Sequence, residues 1–260
     1  MPRIRLDKLV VARNMAIDIE EAKSVIESGL ILVDGAVQKS IKSFVDPSSA
    51  LTFVEEKSKY VSRGGFKLEY ALDQFNINVE NKSCLDIGSS TGGFSDVLLQ
   101  RGASRVNCVD VGHGQLDHKI RSDERVNVFE KTNAKNITPE MVGYNDLAVV
   151  DVSFTSVIPL IEPISKCLNS IKIVVLIKPQ FEVEQKYINS KGIVSSDQAR
   201  IDCIKNTALK LKPNFAITKL VKSPITGNKG NIEYLCLISS GQTEDESIDL
   251  DRIEDLFDKQ

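Results

Sequence analysis

The sequence predicts an α/β protein, a mainly parallel sheet with helices on both faces, preceded by a small α+β unit. Three observations carry this. Short apolar, strand-like runs alternate with helix-like segments at 82–87, 93–101, 105–110, 126–129, 146–151, 157–168, 171–177, 197–210, 214–221 and 232–239, the pattern of strands joined by crossover helices. A glycine-rich turn holding Gly88, Gly92 and Gly93 separates the first of these runs from the helix after it. Residues 1 to 58 follow a different pattern, two short amphipathic helices and then a hairpin signal.

At 260 residues the chain has room for one large domain, or one medium and one small. Its 42% hydrophobic and 27% charged content are those of a soluble globular protein. No apolar run is long enough to span a bilayer, and MPRIRLDKLV lacks the apolar core of a signal peptide, so a cytoplasmic location is expected. Cys84, Cys108, Cys167, Cys203 and Cys236 lack C-x-x-C spacing and read as small buried hydrophobes. His113 and His118 lie near Asp117, but no further Cys or His completes a ligand set, so no metal is expected. The net charge of −3 is uneven, because the stretch 241–260 holds eight acidic residues against two basic ones. The body is thus mildly basic, which permits nucleic acid as a partner without requiring it. The acidic stretch reads as frayed or as a weak amphipathic helix.

In the first unit, Leu6, Leu9 and Val10, then Ala22, Val25 and Ile26, recur at helical spacing. Asp18 is placed to cap the second helix, with Glu21 three residues on, and Gly29 closes it. ILVDGAVQK predicts a tight hairpin on Asp34-Gly35, and ALTFVEE a further strand. Helix, helix and hairpin, with R-L-D in front and G-x-I-x-V-D-G in the middle, resemble the S-four-type RNA-binding domain over nearly all of residues 3–57. Where that family places Ser-Arg before its second helix, this chain has Asp18-Ile19, which removes one cation from the RNA-facing side. The resemblance leaves Arg3, Arg5, Lys8, Arg13, Lys23, Lys39 and Lys42 to meet phosphates, joined at the junction by Arg63; a scatter of solvated charges is the alternative. The expected organisation is 1–58, a linker at 59–63, a second domain at 64–240 and the acidic tail 241–260.

The second domain opens on the helix FKLEYALDQF and reaches its ligand loop at D-x-G-x-x-x-G-G-F, Asp86 to Phe94. Glycines there let a ligand approach the backbone at the strand end. The dinucleotide pattern G-x-G-x-x-G fails, because Ser90 stands at its third position. A bare loop with Asp86 to accept from an ammonium group, and amides to meet a carboxylate, suits the methionyl end of S-adenosylmethionine. Asp86, Gly88, Ser89, Ser90, Gly92, Gly93 and Phe94 are its expected cradle. Asp110 ends the next strand, RVNCVD, where an acid can accept from ribose hydroxyls. A strand-turn-helix joint without a ligand is the alternative reading of the loop alone. The loop from about 179 to 196 is long enough to face a substrate.

Three later residues stand where an apolar strand should simply stop or start. Asp151 ends DLAVVD, Lys178 ends IVVLIK, and Glu233 opens the last strand; Lys67 lies on the early helix. Singly, such a lysine is solvated and such an aspartate caps a helix. Together, in the order Lys67, Asp151, Lys178, Glu233 around the glycine loop, they resemble the Lys-Asp-Lys-Glu tetrad of FtsJ-like ribose methyltransferases. With the first unit, residues 3–239 resemble the TlyA family, named as haemolysins and known as ribosomal RNA 2'-O-methyltransferases. The matching strings are RLDKLV, VSRGGFKL, LDIGSSTGGF, VDVGHGQL, TNAKN, DVSF, IKPQFE and GNIEYL.

The resemblance implies a Rossmann-like methyltransferase sheet, S-adenosylmethionine as cofactor, ribosomal RNA within ribosomal subunits as partner, and a cytidine ribose as target. It places Asn133 near the adenine and Asp110 on the cofactor ribose, and makes the four tetrad residues catalytic, with Asp151 also helping to hold the donor. Lys178 would meet the hydroxyl, Lys67 and Glu233 would orient it, and Asp151 would orient Lys178. A membrane-active haemolysin and a non-catalytic RNA-binding module are the competing classes. No amphipathic membrane stretch supports the first, and four filled tetrad positions argue against the second. An exocyclic-amine methyltransferase is also disfavoured, since DVSF stands where that class places a proline-rich motif.

Overall fold

The computed structural model describes residues 3–53, 58–241, 248–250 and 253. The chain divides into two compact units, Met1–Lys59 and Tyr60–Gln260.

The first unit holds β1 (Ile4–Arg5), α1 (Leu6–Ala12), α2 (Ile19–Glu27), β2 (Ile31–Val33), β3 (Ala36–Gln38), β4 (Phe44–Val45) and β5 (Leu51–Phe53). The start of α2 follows from its sequence: Asp18 accepts from the Glu21 amide at 2.9 Å, and the Glu21 carboxylate accepts from the Ile17 amide at 2.6 Å. Two donors at the helix start are thereby satisfied reciprocally. The β2–β3 turn needs two consecutive positive φ angles, which Asp34 (+50°) and Gly35 (+83°) supply. β5 pairs with the other edge of β2; Val54 to Lys57, at the end of the expected strand, lie outside the described residues. The apolar stripes of both helices meet this sheet in a core of Leu6, Val10, Ala22, Ile26 and Ile31, all fully buried. The β1–β4 pair has two residues on each side, too short to leave a periodicity in the sequence.

The second unit continues with α3 (Gly64–Phe75), β6 (Ser83–Ile87), α4 (Gly93–Gln100), β7 (Arg105–Val109), α5 (His118–Arg121), β8 (Val126–Phe129), α6 (Pro139–Val142) and β9 (Leu147–Val150). It ends with α7 (Ile158–Lys166), β10 (Lys172–Ile177), α8 (Pro179–Glu182), α9 (Asp197–Leu211), β11 (Phe215–Lys222) and β12 (Tyr234–Ser240). Seven strands form one sheet in the order β11-β12-β10-β9-β6-β7-β8, and β12 runs antiparallel to the other six. β10 shows why its sequence is an unbroken apolar run. Ile173, Val175 and Ile177 face one core with α7 and α9, while Val174 and Leu176 face the other with α3 and α4. The four-residue helices α5, α6 and α8 are too short for helical spacing to announce them.

Two stretches depart from expectation. Residues 60–63, read as linker, belong to the second unit: Tyr60 is 2% exposed, meets Phe66 edge-on at 5.3 Å between ring centroids, and covers Gly65, where a Cβ would come within 2.4 Å of its ring. Part of the acidic stretch is docked rather than frayed, because Ile248, Leu250 and Ile253 pack on the α7–α9 core and the Ile248 amide donates to the Ile217 carbonyl at 2.9 Å. Among the described residues no helix is long and apolar enough to cross a membrane.

Candidate active site

The sheet order reverses at β6, where one neighbour leads to β7 and β8 and the other to β9 and β10. Such a switch point leaves a crevice at the carboxyl ends of the strands. Two cavities open there, of about 630 and about 530 Å³, sharing Gly88, Ser90, Asp151, Ser153 and Phe154 as a common wall.

The loop after β6 makes that wall by backbone approach. Gly88 has φ +80°, and a Cβ on it would lie 2.4 Å from the Asp151 carbonyl oxygen, so two strand ends meet without side chains between them. Ser90, also at positive φ (+46°), donates its amide to Asp110 Oδ2 at 2.8 Å; the Gly112 amide donates to Oδ1 at 2.6 Å. Asp110 and Asn133 line the second cavity, and the Asn133 side-chain carbonyl accepts from the Lys135 amide at 3.0 Å. Ser89, Gly93 and Phe94 line the first cavity. Two expected loop ligands do something else. Gly92 lines neither cavity; it gives the chain its φ of +95°, and a Cβ on it would crowd Leu116 at 2.9 Å and Ile120 at 3.0 Å.

Asp86 lies beneath the loop. It is wholly buried and lines neither cavity, with Oδ2 accepting from the Ser95 hydroxyl at 2.5 Å and Oδ1 without a hydrogen-bond partner among the described residues. Burial pushes its carboxyl up from 3.8 to about 7, and the Ser95 bond offsets only part of that. A folded-state value above the unfolded one means that the folded protein holds this proton more tightly. Its contribution is therefore fully present below the ordinary 3.8, declines above it and is lost as pH rises through about 7. Asp86→Asn is expected to flatten the fall in melting temperature between about pH 4 and about pH 7. Thermal melts of both proteins across that range check it, and an unchanged slope would rule out Asp86 as the source.

The tetrad assembles in the first cavity as two ion pairs. Lys178, at the end of β10, sits 2.6 Å from Asp151 Oδ1 and donates to the Ser153 hydroxyl at 2.8 Å. Pro179 follows it and can donate no further ladder bond, which ends the strand there. Lys67, from α3, donates to Glu233 Oε2 at 2.5 Å, and Gln180 Nε2 donates to Glu233 Oε1 at 3.2 Å. Lys67 and Glu233 are nearly fully buried, which neither a solvated lysine nor a free acid would tolerate unpaired. Burial makes each pair a device for geometry more than for stability, since desolvation offsets much of the attraction.

Several lining residues carry little signal in the sequence. Ser153 and Phe154 complete DVSF, and Gln180 stands inside IKPQFE. Phe154 has φ +64°, is 90% exposed and lies 5.1 Å from the Phe181 ring. Gly227 is legible only sterically, because a Cβ there would lie 2.0 Å from Glu233 Oε1. Arg63 is at the rim of the first cavity and donates to the Thr226 carbonyl at 2.9 Å.

In the first unit, Arg3, Lys8, Lys39 and Lys42 are exposed, while Arg5 pairs with Asp7, Lys23 with Glu20, and Arg13 donates to the Pro47 carbonyl. Among the described residues no cluster of His, Cys, Asp or Glu is built to hold a metal, and His113 contacts Glu130 at 2.7 Å.

The FtsJ-like methyltransferase model matches residues 60–239, and the S4 domain model matches residues 4–51. Hemolysin A of Brachyspira hyodysenteriae is 42% identical over 238 residues, covering 89% of this chain and 98% of that protein. The 16S/23S rRNA (cytidine-2'-O)-methyltransferase TlyA of Mycobacterium tuberculosis is 39% identical over 236 residues, covering 89% and 88%. A solved hemolysin-named structure from Streptococcus thermophilus superposes with a TM-score of 0.73 at 35% identity, covering 98% of this chain and 94% of that one. The chain therefore belongs to the TlyA family, in which an S4 domain precedes an FtsJ-like methyltransferase domain.

Proposed function

We propose that this protein uses S-adenosylmethionine to methylate the ribose 2'-hydroxyl of a cytidine in ribosomal RNA, acting on ribosomal subunits in the cytoplasm. The observation that carries this reading is Lys178, held by Asp151 and Ser153 and lining a cavity that the Lys67–Glu233 pair also lines. The fit to the cofactor rests on Gly88, whose missing Cβ lets the ends of β6 and β9 meet in the wall that both cavities share, and on the acid Asp110 and the amide Asn133 in the adjoining cavity.

When bound, the cofactor supplies an already activated methyl group on a sulfonium. The protein's task is alignment of the acceptor and management of its proton. The Lys178 ammonium donates one of its three N–H groups to the Ser153 hydroxyl and is ion-paired with Asp151. A remaining N–H meets the ribose oxygen, where it stabilises negative charge as the hydroxyl gives up its proton. Asp151 keeps that ammonium in place and Glu233, steadied by Lys67, orients the ribose. The exposed cations of the first unit, Arg3, Lys8, Lys39 and Lys42, supply sequence-independent phosphate contacts. The M. tuberculosis relative's name, with its cytidine-2'-O specificity, supports the choice of acceptor.

The test is transfer of tritium from labelled S-adenosylmethionine to purified small and large ribosomal subunits. Ribose methylation leaves one linkage resistant to alkali, and the labelled RNA is expected to show that gap at a cytidine. Cofactor binding without RNA labelling, or label on a base with no gap, would overturn the reading.

A further inference from the structure

We propose that Gln180 is a positioning residue of this site, holding Glu233 in the orientation that serves the ribose; the inference rests on the ribose-methylating reading above. Gln180 lies two residues after Lys178, on α8, so one short segment reaches both ion pairs. Its Nε2 donates to Glu233 Oε1 at 3.2 Å while Lys67 donates to Oε2 at 2.5 Å. Each carboxylate oxygen is therefore held by a donor from a different element. Gly227 closes the remaining side, since even a Cβ there would come within 2.0 Å of Oε1.

The other end of Gln180 makes no competing contact. Its side-chain carbonyl is buried and has no hydrogen-bond partner among the described residues. Flipping the amide does not help, because it would turn the carbonyl against the Glu233 carboxylate. The contact that remains is the one to Glu233. The charged groups lining the same cavity are Lys67, Lys178, Asp151, Arg63 and Lys229. None of these donates to Oε1, so without Gln180 that oxygen has no donor and Glu233 is held by Lys67 alone.

The experiment compares the full chain with Gln180→Ala and Gln180→Glu, measuring methyl transfer to ribosomal subunits over a pH series, with cofactor binding by calorimetry. Gln180→Ala is expected to lower kcat about 10- to 100-fold, the size of effect lost with an orienting partner, and to leave cofactor affinity unchanged. Gln180→Glu is nearly isosteric and places two carboxyl groups close enough to share one proton. At the acidic end of the series that proton is donated to Glu233 as the amide was, and the rate rises towards wild type. As pH increases the proton leaves, the two charges repel, and the rate falls along a limb that wild type lacks. A merely structural role would not give a rescue that titrates.

Wild-type kcat in Gln180→Ala, or a Gln180→Glu variant that behaves the same at every pH, would overturn the proposal. If Gln180→Ala fails to fold, the isosteric variant still decides. Wild type that labels no ribose overturns the functional reading and this inference with it, and is told apart because it appears before any variant is compared.

Discussion

Lys178→Ala lowers the rate of methyl transfer to RNA by about 10³-fold or more while cofactor affinity changes little. That size is expected when a charged group aimed at developing negative charge is removed along with its share in proton management. Two features of the structure set it apart from the loss of an ordinary strand-end lysine. Its side chain is only 12% exposed, and its contacts with Asp151 and Ser153 fix where the ammonium stands. Lys178→Arg is expected to recover little, because a planar guanidinium spreads its charge over a fork too wide for a clamp built for a compact ammonium. Single-turnover transfer at saturating cofactor is the measurement, since it isolates chemistry from product release. An alanine variant within tenfold of wild type would mean that Lys178 only shapes the cavity.

Gly88→Ala is expected to weaken cofactor binding by about 100-fold or more and to lower transfer with it. Two costs add. The φ of +80° is strained for any L side chain, by about 1–2 kcal/mol. The new methyl would also lie 2.4 Å from the Asp151 carbonyl oxygen, so the loop or the end of β9 must move. Because Asp151 borders both cavities and holds Lys178, such a shift reaches the donor side and the acceptor side together. Gly114→Ala separates the two costs, having a similar φ of +69° but nothing within 4 Å of the new atom. Cofactor titration of the three proteins checks this. Equal losses in both variants would assign the effect to backbone strain, and an unaffected Gly88→Ala would remove the shared wall from the site.

Much of this molecule is legible in its sequence because the information is local. The Asp18 cap, the Asp34-Gly35 turn and the apolar runs of the seven-stranded sheet depend on neighbours a few residues away, where side-chain chemistry acts directly on the backbone. The same holds for the polar residues that end apolar strands. Asp110, Asp151 and Lys178 could be singled out because a sheet buried on both faces has no reason to place them anywhere but at its carboxyl edge. The docking of Ile248, Leu250 and Ile253 was not legible, since three apolar residues among acids announce no partner by themselves.

What the sequence determined alone was therefore the two-part architecture, the order of the longer strands and helices, and the set of ionisable groups brought to one edge. Tertiary structure decided how those groups are shared out. It paired Lys67 with Glu233 and Lys178 with Asp151, sank Asp86 beneath the loop, and aimed Gln180 and the bare face of Gly227 at the same carboxylate oxygen. Lys67 and Glu233 are 166 residues apart, and Gln180 and Glu233 are 53 apart. A hydrogen bond is made or lost over a few tenths of an ångström, whereas periodicity and motif order locate a side chain only to a face or an edge.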